Sequence, residues 1–189
     1  MDAEDAAKTI SESNYGIHCL LIYSDLTTLR KFYSSYISTQ ILDKEEVVQI
    51  MPAYETENSV SHVLSKRNKG FNDIDIDKVE HEEKTLLIAD SLKKYGGQTS
   101  NKESTWKANQ EMAKYSNDLG KKGISILGDM GSFIFENRIQ DLIDYELYLP
   151  GCFDMNLKGI CLYHQKDFDR LHEDKRQIII DHHETAIRI

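Results

Sequence analysis

The side chains most capable of chemistry in this sequence are histidines and cysteines near predicted strand ends. His18 and Cys19 are adjacent, and residues 182–183 are a second histidine-containing pair. Cys161 and His164 are separated by two residues. Imidazole nitrogen and thiolate sulfur are donors that zinc and related metals prefer. The spacing matches no zinc motif, and adjacent strand residues point to opposite faces. We therefore predict no bound metal, since buried free cysteine usually acts as a small apolar residue, and keep a structural metal as the alternative.

Phosphate binding is the next chemistry that the sequence can be tested for. A nucleotide-binding α/β domain needs glycines after an early strand, where backbone N–H groups surround the phosphates. No glycine occurs between residues 17 and 69, and neither G-x-x-x-x-G-K-[ST] nor G-x-G-x-x-G is present. Asp129 follows a predicted strand as a magnesium-binding aspartate would, but a turn residue that caps the next helix is the favoured interpretation. ATP hydrolysis and a dinucleotide cofactor are therefore not expected.

Calcium binding and nucleophilic catalysis are disfavoured on similar grounds. The acidic run at residues 73–77 resembles the start of an EF-hand loop, but Lys78 and Lys84 stand where glycine and glutamate are required. No G-x-S-x-G segment is present. A Cys161–His18 or Cys161–His183 pair has no third residue to orient it. The sequence thus predicts a protein that is not an enzyme.

Tyrosine is abundant, with 10 residues in the chain. Six of these fall on predicted strands or on apolar helix faces: Tyr23, Tyr33, Tyr36, Tyr145, Tyr148 and Tyr163. The favoured interpretation is core packing with the hydroxyl groups at the rim. The alternative is an apolar pocket with a few polar tips, which is the usual lining of a small-molecule site.

The composition is that of one folded domain. The chain has 189 residues, of which 40% are hydrophobic and 29% charged, with a formal net charge of −9. An acidic chain is a poor direct partner for nucleic acid or for an anionic membrane surface. Its 3 cysteines include no C-x-x-C pair, which favours a reduced, cytoplasmic protein. No apolar run approaches the roughly 20 residues of a membrane helix.

The elements that must position these side chains alternate between strand and helix. Residues 1–14 predict a flexible leader, and residues 15–189 predict a single domain. Strands are predicted at residues 17–23, 47–51, 85–89, 124–127 and 159–163. Helices are predicted at residues 26–37, 57–69, 105–119 and 133–149 and from residue 171 onward, the last finishing in a short strand. An edge strand or loop is predicted at 72–83 and a loop at 95–104. This order predicts a three-layer α/β fold, an open and mainly parallel sheet with helices on both faces. Ligands of such sheets bind at the carboxyl ends of the strands.

Several segments together resemble the MEDS domain, the sensory domain named for methanogens, methylotrophs and the dichloromethane-responsive repressor DcmR. Residues 16–23 are similar to its Gly-x-His-x-x-x-x-Tyr start, and residues 119–130 to the approach to its fourth strand. Residues 142–146 match its Tyr-Glu helix, and residues 161–163 match its Cys-x-Tyr strand. Phe168 matches a later Phe of the family, and His183 matches the His that closes the domain. The resemblance covers about residues 15–186. It implies a RecA/KaiC-like fold that has lost its phosphate loop (Walker A).

The resemblance also implies a function, that of a non-catalytic sensor of small molecules in signal transduction or transcription regulation. Hydrocarbon derivatives, methylated compounds and halomethanes are the ligands suggested for the family. The implied ligand-binding residues are His18, Tyr23, Tyr145, Glu146, Cys161, Tyr163 and His183. Hydrogen bonds would come from the histidines and the glutamate, and the apolar wall from the tyrosines and the cysteine. No cofactor, nucleic acid or membrane is expected, and the signal would pass to a histidine kinase, a DNA-binding regulator or a second copy of the chain. The alternative is an interaction scaffold on a degenerate ATPase fold, with an exposed apolar patch and no ligand.

Overall fold

A parallel sheet organises the chain in a computed structural model that describes residues 1–65, 74–95 and 102–189. Its strands are β1 (His18–Tyr23), β2 (Val47–Met51), β3 (Leu86–Ile88), β4 (Ile124–Asp129), β5 (Leu157–His164) and β6 (Thr185–Arg188). Within the described residues these strands form one sheet in the order β3-β2-β4-β5-β1-β6, and each neighbouring pair is parallel. Nearly continuous apolar runs in β1, β2 and β5 fit strands that are buried on both faces.

Helices connect the strands by crossovers. They are α1 (Ala3–Ser11), α2 (Leu26–Ser38), α3 (Glu57–Leu64), α4 (Ser91–Tyr95), α5 (Lys102–Asp118), α6 (Gly131–Phe135), α7 (Ile139–Tyr148), α8 (Gln165–Arg170) and α9 (Glu173–His182). Two π-helical turns, Thr39–Asp43 and Asp77–Glu82, precede β2 and β3. Among the described residues, no helix combines the length and the apolar character that crossing a membrane requires.

Two cores lie on the two faces of the sheet, which confirms the predicted three-layer α/β architecture. Along β1, Cys19 and Leu21 enter the core that contains the buried residues of α1, α2 and α3. Leu20 and Ile22 alternate with them and enter the core formed with α6, α7, α8 and α9. The period-two alternation of strand side chains thus assigns each residue of β1 to one core or the other.

The N-terminal segment differs from the predicted flexible leader. Helix α1 begins at Asp2, whose carboxylate accepts a hydrogen bond from the backbone N–H of Asp5 at 2.8 Å. Ala3, Ala6 and Ile10 lie on one face of this helix and are buried against α2. Their spacing is that of an amphipathic helix, but alanine gives a weak hydropathy signal, so the sequence pattern was easy to miss.

A buried ion pair joins the amino-terminal edge of the sheet to α1. Lys158 Nζ on β5 lies 3.3 Å from Glu46 Oε1, and both side chains are 3% exposed. The same ammonium donates to the carbonyl of Ser11 at 3.0 Å. Ser125 Oγ donates to Glu46 Oε2 at 3.0 Å, and the hydroxyl of Tyr36 contacts Ser125 at 2.9 Å. The ammonium of Lys158 and the carboxylate of Glu46 therefore compensate each other's charge.

Other predicted elements differ in their bounds. The helix predicted over residues 133–149 is two helices, α6 and α7, because Asn137 takes a left-handed backbone with φ of 55°. The region from residue 171 forms α9 followed by β6, as predicted. Parts of the predicted helix at 57–69, of the element at 72–83 and of the loop at 95–104 fall at residues 66–73 and 96–101, which lie outside the described residues.

Candidate functional site

The imidazole of His18, the first residue of β1, is fully buried and held by the neighbouring strand. Gly159 of β5 lies opposite His18, and a Cβ added there would come within 2.6 Å of the Phe153 ring. Glycine thus leaves the space in which Phe153 packs edge-on against His18, with ring centroids 5.3 Å apart. Two residues further along β5, Cys161 lies on the same face, and its Sγ is 3.4 Å from His18 Nε2.

Glu146 brings a carboxylate from α7 into this apolar layer. Its side chain is 1% exposed. Cys161 Sγ donates to Glu146 Oε2 at 3.5 Å, and the hydroxyl of Tyr163 donates to Oε1. Cys161 and Tyr163 can share this carboxylate because residues two apart on a strand face the same side.

His183 follows α9 directly and approaches the same carboxylate from the other side. Its Nδ1 donates to the carbonyl of Ile179 at 2.7 Å, which fixes the orientation of the ring. Its Nε2 lies 3.5 Å from Glu146 Oε2. The rings of His18 and His183 are tilted by 39° with centroids 4.0 Å apart. Side chains from β1, α7, β5 and the end of α9 therefore meet at one point.

Burial controls the protonation of this group. Burial first, and then the neighbouring His183 and His182, together lower the pKa of His18 to about 2, while the backbone carbonyl of Pro150 acts to raise it. Burial, followed by the charge of Glu146, raises the pKa of the Cys161 thiol well above its usual value. The same two causes raise the pKa of Tyr163. With these pKa values, His18 is a neutral imidazole and Cys161 is a protonated thiol at neutral pH.

We call His18, Glu146, Cys161 and His183 the four-donor cluster. One ligand atom from each residue can be chosen so that all four atoms lie within 4.8 Å of one another. Such a set can exchange hydrogen bonds with a small polar molecule, and its nitrogen, sulfur and oxygen donors are also those of zinc sites. Two of its ring nitrogens, His18 Nδ1 and His183 Nε2, have no hydrogen-bond partner among the described residues.

A small cavity of about 20 Å³ adjoins the four-donor cluster. Polar or aromatic groups in its wall are contributed by His18, Tyr95, Asn109, Tyr145, Phe153 and Cys161, and the remainder is apolar or glycine. Tyr145 packs against Tyr95 with ring centroids 5.2 Å apart. A water molecule needs about 10–15 Å³ of such space, so the cavity can hold one or two water-sized groups.

A separate group of polar side chains lies at the carboxyl ends of the strands. The hydroxyl of Tyr23 donates to Asp129 Oδ2 at 2.9 Å, and the backbone N–H of Gly131 donates to Oδ1 at 2.9 Å. Tyr54 donates to Asp167 nearby. Asp129 differs from the predicted turn residue, because it is the last residue of β4 and Met130 is the N-cap of α6, although its carboxylate accepts from the first N–H of that helix. Burial raises the pKa of its carboxyl to about 6.

This raised pKa gives a pH-dependent prediction for Asp129→Asn. The Asp129 carboxyl holds its proton more tightly in the folded protein than in the unfolded chain. The stabilisation of the folded state by this proton is therefore present below about pH 4 and is lost as the pH rises through about 6. A pKa change from 3.8 to about 6 corresponds to about 3 kcal/mol. The wild type should therefore lose about this much unfolding free energy relative to the variant between pH 4 and pH 7, as measured by urea denaturation. A difference that stays constant, or has the opposite slope, would contradict the prediction.

The structure brings together six of the seven side chains that the sequence analysis selected. The four-donor cluster, Tyr163 and the cavity-lining Tyr145 share one core. Tyr23 lies in the other core, where it binds Asp129. The converging groups lie beneath α7 and α9, away from the carboxyl edge of the sheet at which ligands were expected.

Sequence reasoning missed some residues that shape the site. Phe153 supports His18, and Tyr95 and Met130 complete the cavity wall. Met130 lies in a segment that resembles the family, but its side chain carried no chemical signal of its own. Phe153 lies in the loop before β5, and no pattern in the sequence pointed to it.

Comparisons with known proteins were made by family, by sequence and by structure. The family model described as the methanogen/methylotroph, DcmR sensory domain (MEDS) matches residues 17–179. No curated protein matches the sequence. Among solved structures, the chain is similar to the KaiC-like protein PH0186 from the hyperthermophilic archaeon Pyrococcus horikoshii OT3, with a TM-score of 0.57 and 15% identity over 92% of this chain and 72% of that one. That likeness supports the RecA/KaiC-like fold expected from the sequence.

Proposed function

The chain belongs to the MEDS family of sensory domains, and we propose that it is a non-catalytic domain that senses a small hydrocarbon derivative. The observation that carries this proposal is a polar group set inside an apolar core. His18 and Cys161 present donor atoms at the wall of a cavity whose other lining is largely apolar. Apolar walls with a few convergent polar groups are typical of small-molecule sites.

The size of the cavity supports a ligand of one or two carbon atoms. Its volume of about 20 Å³ excludes a nucleotide or sugar in this conformation. Methanol, with two non-hydrogen atoms, is of this size, whereas dimethyl sulfide and dichloromethane have three and would require the cavity wall to move. A ligand of this kind would place its methyl group against Met130 and Tyr145 and its heteroatom near His18.

The turn after β1 supports a role without nucleotide chemistry. Asp25 caps α2 by accepting from the backbone N–H of Thr28 at 2.9 Å. The first N–H groups of a helix in this place would otherwise attract phosphate. A carboxylate there occupies one of those groups and adds negative charge, so it disfavours binding of a phosphate.

Sensing needs an output, and we propose that this chain acts in the cytoplasm through another protein. A histidine kinase or a DNA-binding regulator, the modules associated with the family, fits this role, and a second copy of the chain is the other candidate. Ligand binding would change the packing of α7 and α9, because both contribute directly to the four-donor cluster through Glu146 and His183.

The test uses methionine methyl NMR, since the chain has only 5 methionines. Protein labelled with ¹³C at the methionine methyl groups would be titrated with methanol, dimethyl sulfide and dichloromethane. At least one probe should shift the Met130 signal in a saturable manner, because Met130 lines the cavity. Met1, which is 65% exposed, should stay unchanged.

Two variants make the titration specific. Gly128→Ala should abolish the Met130 shift, because the added Cβ would lie 2.6 Å from the Tyr95 hydroxyl and 3.0 Å from the Met130 methyl, within the cavity wall. Tyr23→Phe is the matched control, because Tyr23 lies in the other core and should leave the titration unchanged. The proposal fails if no probe shifts Met130 selectively, or if Gly128→Ala responds as the wild type does.

A further inference from the structure

We propose that the four-donor cluster is a binding site for a single divalent transition-metal ion, with zinc as the expected metal. His18, Glu146, Cys161 and His183 would be the ligands. The inference concerns residues that also adjoin the proposed ligand cavity, but it does not depend on sensing, because an ion here can stabilise the fold whether or not the cavity takes up a small molecule.

The tautomer of His183 is the first argument for a cation. A carbonyl oxygen can only accept, so His183 Nδ1 must donate its proton to Ile179 at 2.7 Å. In the neutral imidazole, Nε2 then carries a lone pair, and this lone pair lies 3.5 Å from a carboxylate oxygen of Glu146. Two acceptors at this separation repel each other unless a proton or a metal ion lies between them, and the experiment below distinguishes the two. A histidine that donates its other N–H to a backbone carbonyl is the usual arrangement in metal sites.

The spacing of the donor atoms is the second argument. Zinc bonds of about 2.0–2.1 Å to nitrogen and about 2.3 Å to sulfur place tetrahedral ligands about 3.3–3.6 Å apart. His18 Nε2 is 3.4 Å from Cys161 Sγ, and Cys161 Sγ is 3.5 Å from Glu146 Oε2. The Glu146–His183 separation of 3.5 Å is a third edge of this size. The widest pair, within 4.8 Å, has to close by a small movement when the ion binds.

Charge balance is the third argument. Glu146 is 1% exposed, and among the described residues it forms no ion pair with a lysine or arginine, its neighbours being Cys161, Tyr163 and His183. A buried carboxylate with no cation to balance its charge is costly even when it accepts hydrogen bonds. Zinc with one carboxylate, one thiolate and two neutral imidazoles forms a complex with no net charge. His183 Nε2, the ring nitrogen that faces Glu146, is also buried with no hydrogen-bond partner among the described residues, so the protein's own groups do not satisfy it.

The test measures cobalt binding by the full chain, since Co²⁺ replaces zinc and reports its ligands by absorption. Protein expressed with added zinc should carry one equivalent of zinc by elemental analysis after extensive dialysis. Protein stripped of metal and titrated with Co²⁺ should bind one equivalent, with the intense visible bands of a tetrahedral ion and a thiolate-to-cobalt charge-transfer band in the near ultraviolet. Wild-type protein that takes up neither metal would overturn the proposal, and would indicate an internal His183–Glu146 ion pair instead.

Matched variants assign the ligands. Cys161→Ser should remove the charge-transfer band, and His183→Gln should weaken cobalt binding at least about 100-fold. Cys152→Ser and His182→Gln are the controls, because Cys152 is exposed and His182 is engaged with the carbonyl of Leu149 at 2.7 Å. Both controls should bind cobalt as the wild type does. A band that survives Cys161→Ser but is lost in Cys152→Ser would contradict the assignment, and circular dichroism of each variant separates a lost ligand from a lost fold.

Discussion

Lys158→Met is expected to lose about 3–5 kcal/mol of unfolding free energy, as measured by urea denaturation at pH 7. The substitution keeps the volume of the side chain but removes its charge. Glu46, which is 3% exposed and 3.3 Å from the ammonium, would then remain as an uncompensated carboxylate. The carbonyl of Ser11 would lose its donor as well, which weakens the attachment of α1.

Two further variants separate burial from charge in this prediction. Lys122 and Glu45 form a shorter pair, at 2.7 Å, but their side chains are 63% and 62% exposed. Lys122→Met should therefore leave stability unchanged within measurement error, because water and salt screen an exposed pair. Glu46→Leu combined with Lys158→Met should recover much of the loss, because no unpaired charge remains. Equal effects of Lys158→Met and Lys122→Met would contradict the argument.

The architecture could be predicted from the sequence because its strands carry an unusual pattern. The runs at residues 17–23 and 47–51 are apolar except for His18 and Gln49, and nearly continuous apolar runs are typical of strands covered on both faces. Short helical segments with period 3.6 lie between them, so the parallel sheet follows from the rule for crossover connections. Helix α1 was missed because its buried face consists largely of alanine. The break at Asn137 was missed because apolar residues continue on both sides of it.

The candidate site was predictable in its membership but not in its geometry. The family resemblance supplied the residues, and the period of the strand decides which of them can meet. His18 and Tyr23 are five positions apart on β1, so they must face opposite sides, whereas Cys161 and Tyr163 are two apart and share one. This parity was available from the sequence and would have separated Tyr23 from the others.

The convergence itself depends on tertiary structure. Glu146 reaches Cys161 only because α7 lies over β5, and His183 reaches both because α9 returns the chain beside β1. Zinc motifs that are readable from sequence place their ligands at short, fixed intervals. Here the donors are 143 positions apart in the case of His18 and Cys161, so no spacing rule could identify the four-donor cluster.

Gly16→Ala is expected to destabilise the protein by about 2–6 kcal/mol, through backbone strain together with overpacking. Gly16 has a φ of 93°, which is unfavourable for residues with a side chain. An added Cβ would also lie 2.7 Å from the carbonyl oxygen of Phe153. The backbone at Phe153 is held in place, because its N–H donates to the Gly16 carbonyl at 2.8 Å. Gly16 is held as well, since its own N–H donates to the carbonyl of Leu157 at 2.8 Å. Urea denaturation followed by circular dichroism measures the loss.

Gly120→Ala isolates the contribution of the clash from that of the backbone. Gly120 also has a positive φ, of 69°, but nothing lies within 4 Å of an added Cβ. Gly120→Ala should therefore lose only about 1–2 kcal/mol of unfolding free energy, which is the cost of a left-handed conformation for a residue with a side chain. The excess loss in Gly16→Ala then measures how rigidly the Gly16–Phe153 contact is held. Since Phe153 also packs against His18, a loss no greater than that of Gly120→Ala would mean that this side of the four-donor cluster can move to make room.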